Sequence, residues 1–520
     1  MISKRERWTV GVLISLVIVV ITLPYYFAWK AGGDTHVFHG FLLNLFDGHS
    51  YMGKMRQGWM GSWTFTLPFT AQPGEGTYLF SFYLLLGHIA RILGWSILFT
   101  FHFFRAAAAV VLYWMLFHLT VRVFPASRPR WTAYLLAGFG AGLGWAAIPW
   151  GSITSDFWVA EAYVFHSAYS NVHFPLGLAL QIWLILPGKD LLNSRIAAAK
   201  VLLAAFVLAV ISPFGAMVVL VVWGGVFAWQ FILKEWRAAA ANLLYITLGS
   251  LPVLVYYAWV SRTHPVLAGW SAQNLTPTPD PLDFLISFSP ALLLAIPGSV
   301  YALRKKDLML RTIVVWAVLS MVFLYIPFSL QRRFLTGISV PIVILCVVAL
   351  ETWIEKWPRI KVWLLTGVYL LALPTTLILL LSSGAAVSSL DDQIYSEKSE
   401  VEAFEWMQQN LPERSLVLAS STSGLYIPGY SGLRVLYGHP FETVNAEERM
   451  LTVDSFYSGE LPVQAGLSFL KENQINYVFL GPRERALGEI PWIESLDLVY
   501  ELDGVKIYSF WIIPEEHSGD

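Results

Sequence analysis

Charge is scarce in this chain. Asp, Glu, Lys and Arg supply only 13% of its 520 residues, where a soluble protein carries roughly a quarter. So little charge cannot clothe a soluble surface of this size. Apolar residues make up 56%, much of it in runs near the ~20 residues that cross a bilayer. The net charge of −1 excludes the basic footprint of a nucleic-acid binder. Cysteine is nearly absent as well. The single Cys346 excludes an intrachain disulfide and any cysteine metal cluster, and its apolar setting marks a small core residue. A glycine-rich nucleotide loop and an internal repeat are both missing. Aromatic residues, in contrast, are plentiful. The 23 Trp and 23 Tyr suit the two interfacial belts of a membrane protein.

The chain therefore reads as a polytopic α-helical membrane protein. Its first apolar segment, 8–29, follows Lys4, Arg5 and Arg7. It is too long for a cleaved signal and lacks a small-residue cleavage site, so it is expected to stay as an anchor. Positive charge collects on the cytoplasmic side, which puts the N-terminus inside and the loop 30–76 outside. Segment 77–95 decides the rest. As a full span it would invert every later basic loop. As a helix lying on the outer membrane surface it returns Arg122, Arg128 and Arg130, then Lys189, Arg195 and Lys200, then Arg304, Lys305 and Lys306, to the cytoplasm. This series gives about eleven spans. Only Arg332-Arg333 is left on the wrong side.

From Val387 charge rises and apolar runs shorten. EKSEVEAFEWMQQNLP predicts an amphipathic helix stopped by Pro412. SLVLAS, LRVLYG, INYVFLG and VKIYSF predict strands, and a helix is expected near 462–473. The expected organisation is a transmembrane domain over 1–386 and an extracytoplasmic α/β domain over 387–520, a normal domain size.

The chemistry is expected in the first outer loop. There Asp47 and Tyr51 lie one helical turn apart, followed by Lys54, Arg56, Gly58 and Trp59. A carboxylate at a membrane surface suits a general base on an acceptor hydroxyl; the bland role for Asp47 is a helix N-cap. Asp34 ends the first span and is either a second acid or a helix-end group. Glu75 sits in a Pro-Gly-Glu-Gly turn. The later outer loops add Asp156, Glu161, His166 and His173, then Arg262, His264, Asp280 and Asp283. Asp280 and Asp283, beside Pro, read as turn chemistry. Carboxylate plus imidazole suits a divalent metal ion, which makes Glu75 and His173 the candidate ligands. Arg332-Arg333 suits bidentate phosphate recognition, its bland role being lipid headgroup binding. Arg105, inside the helix 98–120, is a further cation that either meets substrate or braces a loop acid.

These residues resemble the GT-C-fold glycosyltransferases, in the protein mannosyltransferase and lipid A aminoarabinose transferase-like branch. The resemblance rests on an outward first helix, then Asp47, Tyr51, Met55, Gly58 and Trp59, then a surface helix. FHFFRAAAAVVLYWMLFHLTVRVF resembles the branch's second span, and LQRRFLTGISVPIVIL its later outer arginine motif. The likeness covers residues 8–350. It implies transfer of a sugar from a polyprenyl-phosphate donor to a lipid, glycan or protein acceptor on the extracytoplasmic face; the compact loops and the lack of a eukaryotic retention signal make a bacterial inner membrane the expected location. By position, Asp47 is the implied base, Glu75 a loop acid near donor or metal, Glu161 or Asp156 a second-loop acid, and Arg332 or Arg333 a phosphate contact. The branch usually has a paired acid where this chain has Asp47-Gly48, which leaves Asp34 as partner or rival of Asp47. The rival reading of the whole chain is a lipid-linked glycan or small-solute transporter or flippase. Such proteins show broken helices at matching positions of two halves, and here only Ser212-Pro213 breaks a pair.

Overall fold

The computed structural model describes residues 2–186, 191, 193–305 and 307–510. Lys189 and Lys306, two of the basic residues used to set the orientation, lie outside these.

The chain opens with the 28-residue helix Lys4–Ala31, started by a capping box between Ser3 and Glu6. Val10, Ile14, Val17, Ile21, Tyr25 and Ala28 form its buried stripe, spaced at the helical period. Val12, Leu16, Val19 and Leu23 on the other face are exposed. An apolar outer face costs nothing in lipid, so it marks the bilayer side. Among the described residues, five helices are long and apolar enough to cross a membrane, and seven if each bent pair counts as one span. The bent pairs are Ser127–Phe139 with Gly144–Trp150, and Pro281–Phe288 with Ala291–Arg304. Shorter helices, His173–Ile185, Arg195–Ile211, Leu308–Leu324 and Ser339–Lys356, fill the remaining apolar segments.

The helix Ser81–Leu93 has 13 residues, about 20 Å at 1.5 Å per residue, too short for a hydrocarbon core of ~30 Å. It buries Tyr83, Leu84, Leu86, Gly87 and Ala90 on one side and exposes Leu85, Ile92 and Leu93 on the other. Its buried side packs on the helix Leu45–Trp59, which carries the first-loop candidates. Two glycines bring these helices together. A Cβ on Gly58 would lie 2.1 Å from the Leu84 carbonyl oxygen, and one on Gly87 would lie 1.9 Å from that of Met55.

Strands Arg434–Val435, Leu416–Leu418, Tyr477–Leu480, Val505–Ser509 and Asp497–Leu502 form one five-stranded sheet in that order. The first three are parallel and the last two antiparallel. Helices Lys398–Asn410 and Val463–Glu472 occupy the two predicted helical stretches. This C-terminal segment is tied to the first loop. His36–Phe38 pairs with Tyr395–Glu397 as a two-stranded antiparallel sheet. Phe69, fully buried, packs in the same cluster as Phe404, Val417 and Ile507. The helix Ser421–Ser431 lies against Leu45–Trp59, with Gly429 beside Met52 and Gly53.

Candidate active site

The helix Leu45–Trp59 begins at Asn44, whose φ of 55° starts it without a side-chain cap. Asp47 therefore sits inside the first turn and is not the N-cap. It lies in the turn where the helix N-terminus favours a negative charge. Asp47, Tyr51 and Lys54 recur at i, i+4 and i+7, which places them along one face.

Asp47 and Tyr51 line a cavity of about 620 Å³. Glu161, His173, Arg332 and Arg333 line the same cavity. Groups from the first loop, the segment 161–173 and the segment near position 330 thus face one space. Asp47 has no side-chain hydrogen bond among the described residues, but its charge acts on Tyr51, Tyr83, Arg332, Arg333 and His439. Burial, followed by the Asp47 charge, pushes the Tyr51 hydroxyl well above its usual range, so it stays an O–H donor. Its ring stacks on Tyr83 at 4.3 Å between centroids, and the Tyr83 hydroxyl is hydrogen-bonded to His173 Nδ1 at 2.8 Å.

The two arginines differ. Arg333 Nη1 pairs with Glu161 Oε1 at 3.3 Å. Burial opposes its charge, but the Glu161 and Asp47 carboxylates outweigh burial and raise its pKa. Arg332 lies over the Trp158 ring, its guanidinium carbon 4.7 Å from the centroid, and its buried Nε has no partner among the described residues. Both guanidinium groups remain cationic, and Arg332 keeps donors for an incoming anion.

Other expected site residues lie elsewhere. Asp34 is exposed after the end of the first helix and does not line the cavity, so it is not placed as a partner of Asp47. Glu75 is exposed, and its backbone carbonyl accepts from His264 Nε2 at 2.9 Å. Arg56 turns away from the cavity and donates from Nε to the Gly429 carbonyl at 3.1 Å; burial lowers its pKa to about 10. Arg105 is fully buried. Its Nη atoms donate to the carbonyls of Ile21, Ala168 and Tyr169 at 3.1–3.2 Å, so it ties the middle of the first helix to the end of the helix Val164–Ser170 and does not line the cavity. Asp156 is spent on structure. Its Oδ2 accepts from the backbone N–H groups of Gly142 and Gly144 and from Thr375 Oγ1, and its Oδ1 accepts from Thr154 Oγ1. That network holds the break between Ser127–Phe139 and Gly144–Trp150, where burying a free carboxylate would otherwise be costly. Lys54 is fully buried and salt-bridged to Glu442.

Sequence reading missed the contribution of the C-terminal segment. His439, Phe441 and Glu442, in the stretch Gly438-His-Pro-Phe-Glu, line the cavity. A short polar turn inside a segment read as an appendage carries no local sign that it faces a distant loop. Arg262, Trp270 and Asn274 complete the polar wall. The other wall is apolar: Val210, Ile211, Phe214, Met217, Leu254 and Ala258. Met217, Leu254, Ala258 and Phe328 also line an adjoining, wholly apolar groove of about 560 Å³.

Among the described residues, no three His, Cys, Asp or Glu side chains form a group fit to hold a metal ion. Glu75 is absent from the cavity wall that includes His173, so this expected pair of ligands is not brought together there.

No protein-family model matches the chain, and no curated protein sequence matches it. Solved structures do. The chain is similar to the archaeal oligosaccharyltransferase AglB from Archaeoglobus fulgidus, solved with an inhibitory peptide and a dolichol-phosphate: TM-score 0.56 at 14% identity, over 99% of this chain and 76% of that one. AglB has also been solved with Zn and sulfate, at TM-score 0.55. ArnT from Cupriavidus metallidurans, solved in the apo state, superposes at TM-score 0.50 and 13% identity over 98% of both chains. It has also been solved bound to undecaprenyl phosphate. These neighbours are GT-C-fold membrane glycosyltransferases, so the fold is the one the sequence resemblance implies.

Proposed function

We propose that the protein is a glycosyltransferase that moves a sugar from a polyprenyl-phosphate donor to an acceptor hydroxyl on the extracytoplasmic face of the membrane. One observation carries this reading: Asp47 and the pair Arg332-Arg333 line a single cavity. The donor's phosphate is placed on the arginines, and its isoprenoid tail along the apolar groove that shares Met217, Leu254, Ala258 and Phe328 with the cavity. Dolichol-phosphate in AglB and undecaprenyl phosphate in ArnT support this assignment by chemical class.

In the reaction, the acceptor oxygen attacks the anomeric carbon while Asp47 takes its proton. The bond from that carbon to the phosphate oxygen breaks, and the polyprenyl phosphate leaves with the electron pair. Arg332 and Arg333 stabilise the charge that develops on the leaving group. Among the described residues the side chains at the cavity form no donor set that fits a metal ion, so the arginines carry this stabilisation. The topology that goes with this reading has the N-terminus in the cytoplasm, residues 1–386 as the membrane unit and the C-terminal unit outside.

The test is direct. Purified protein is supplied with radiolabelled polyprenyl-phosphate sugars and membrane-extract acceptors. Label transfer that is lost in Asp47→Asn supports the reading. Absence of transfer with every lipid donor would favour a transporter instead: a lipid-linked glycan flippase if the lipid still binds, a small-solute transporter if it does not.

A further inference from the structure

Glu442 enters the cavity wall with one oxygen engaged and one free. Its Oε1 accepts from Lys54 Nζ and from Ser50 Oγ, each at 2.7 Å. Its Oε2 is buried with no hydrogen-bond partner among the described residues. The loop behind it is firmly held. His439 Nδ1 accepts from the backbone N–H groups of Phe441 and Glu442, both at 3.1 Å. The His439 N–H donates to Thr443 Oγ1 at 3.2 Å, and Trp270 Nε1 donates to the Phe441 carbonyl at 2.7 Å. A buried acceptor without a donor, on a residue that lines the cavity, points to a donor supplied by a ligand.

The ligand's class follows from charge and position. Lys54 already neutralises Glu442, so a second ammonium gains little there, and a neutral hydroxyl is the better match. Asp47, Tyr51, Arg333 and Glu442 all line the same cavity, so these groups border one region. A phosphate on the arginines places the group attached to it in that region. We infer that Glu442 recognises the donor's sugar, its Oε2 accepting hydrogen bonds from ring hydroxyls of a lipid-linked sugar whose phosphate lies on Arg332 and Arg333. This rests on the reading of the cavity as a polyprenyl-phosphate-sugar site.

The experiment measures binding of undecaprenyl phosphate, and of undecaprenyl-phosphate-linked glucose and mannose, to the full chain in nanodiscs. Wild type is expected to bind a sugar-bearing lipid about tenfold tighter than the bare lipid, the scale of one charge-assisted hydrogen bond. Glu442→Gln should lose that margin and leave bare-lipid affinity unchanged. The double variant Lys54→Met with Glu442→Leu removes both charges together, avoids a lone buried lysine, and should behave likewise. Equal weakening for all three lipids would mark Glu442 as merely structural and overturn the inference. So would an undiminished margin in both variants, or no margin in wild type. Failure of wild type to bind even bare undecaprenyl phosphate is the separate result that removes the cavity assignment itself.

Discussion

Lys54 and Glu442, 388 positions apart, form a buried ion pair at 2.7 Å. Lys54 lies two helical turns beyond Asp47, and Glu442 lies in the loop that closes the opposite end of the chain onto the cavity. Burial works against the Glu442 charge, but Lys54 and then His439 outweigh it and hold its pKa below the usual range. The pair therefore ties the helix bearing Asp47 to the C-terminal segment.

Breaking that tie from one side should be costly. Lys54→Met strands a buried carboxylate, and losses of about 3–5 kcal/mol are usual for such changes. Adding Glu442→Leu should return most of that stability. Thermal midpoints of the two variants in detergent check the order; a single variant as stable as the double would show the pair to be idle.

Asp47→Asn keeps the shape of the side chain but exchanges one acceptor oxygen for an NH2 donor and removes its basicity. If Asp47 takes the acceptor's proton, transfer should fall about 10²–10⁴-fold with donor binding preserved. Single-turnover transfer rates and lipid binding, measured side by side, separate these effects. The Asp34→Asn change should leave the rate near wild type, because Asp34 is exposed and outside the cavity.

Arg332 and Arg333 should respond differently to truncation. Arg332→Ala removes a cation whose Nε has no protein partner, so undecaprenyl-phosphate affinity should drop about tenfold or more with little loss of stability. Arg333→Ala also strands Glu161, so both affinity and the melting midpoint should fall. Equal midpoints for the two variants would contradict this division of roles.

His39, His49 and His439, three of the buried histidines around the site, give the fold a pH dependence. Burial lowers the pKa of His49 to about 3 and lowers those of His39 and His439. Below pH ~6.5 the unfolded chain gains protons at these sites, which the folded chain does not until the lower folded values are reached. Stability is thus full above ~6.5 and falls with acidification, by about 1.4 kcal/mol per pH unit for each histidine. His49→Phe should flatten this slope between pH 6 and 4, measured by melting midpoints across the range.

Gly58 and Gly87 set how closely the helix Leu45–Trp59 approaches the helix Ser81–Leu93. Gly87→Ala would force a Cβ into the Met55 carbonyl. The helices must separate, so both stability and transfer should fall. A Gly11→Ala control, where nothing lies within 4 Å, should be silent in both assays.

Much of the architecture can be read along the chain because it depends on local pattern. Apolar stripes at helical period and the strand segments around 417, 435, 478 and 507 are set by neighbours within a few residues, whereas Asp280, read as turn chemistry, caps the helix Pro281–Phe288. The site was legible only in part. Asp47, Tyr51, Glu161, His173, Arg332 and Arg333 stand out because polar groups are rare beside so much apolar sequence. Asp156, Arg105 and Arg56 stand out for the same reason, yet their partners are backbone groups and, for Asp156, the hydroxyls of Thr154 and Thr375, which composition does not reveal.

The sequence by itself determined that this chain is a membrane helix assembly with an acid-bearing loop and an arginine pair between apolar segments, since those features follow from composition and short-range spacing. Only the tertiary structure decided which of those charges face a common cavity, and that Glu442 joins them. A buried charge requires a partner, and the chain meets that requirement through contacts hundreds of residues long, which no local window contains.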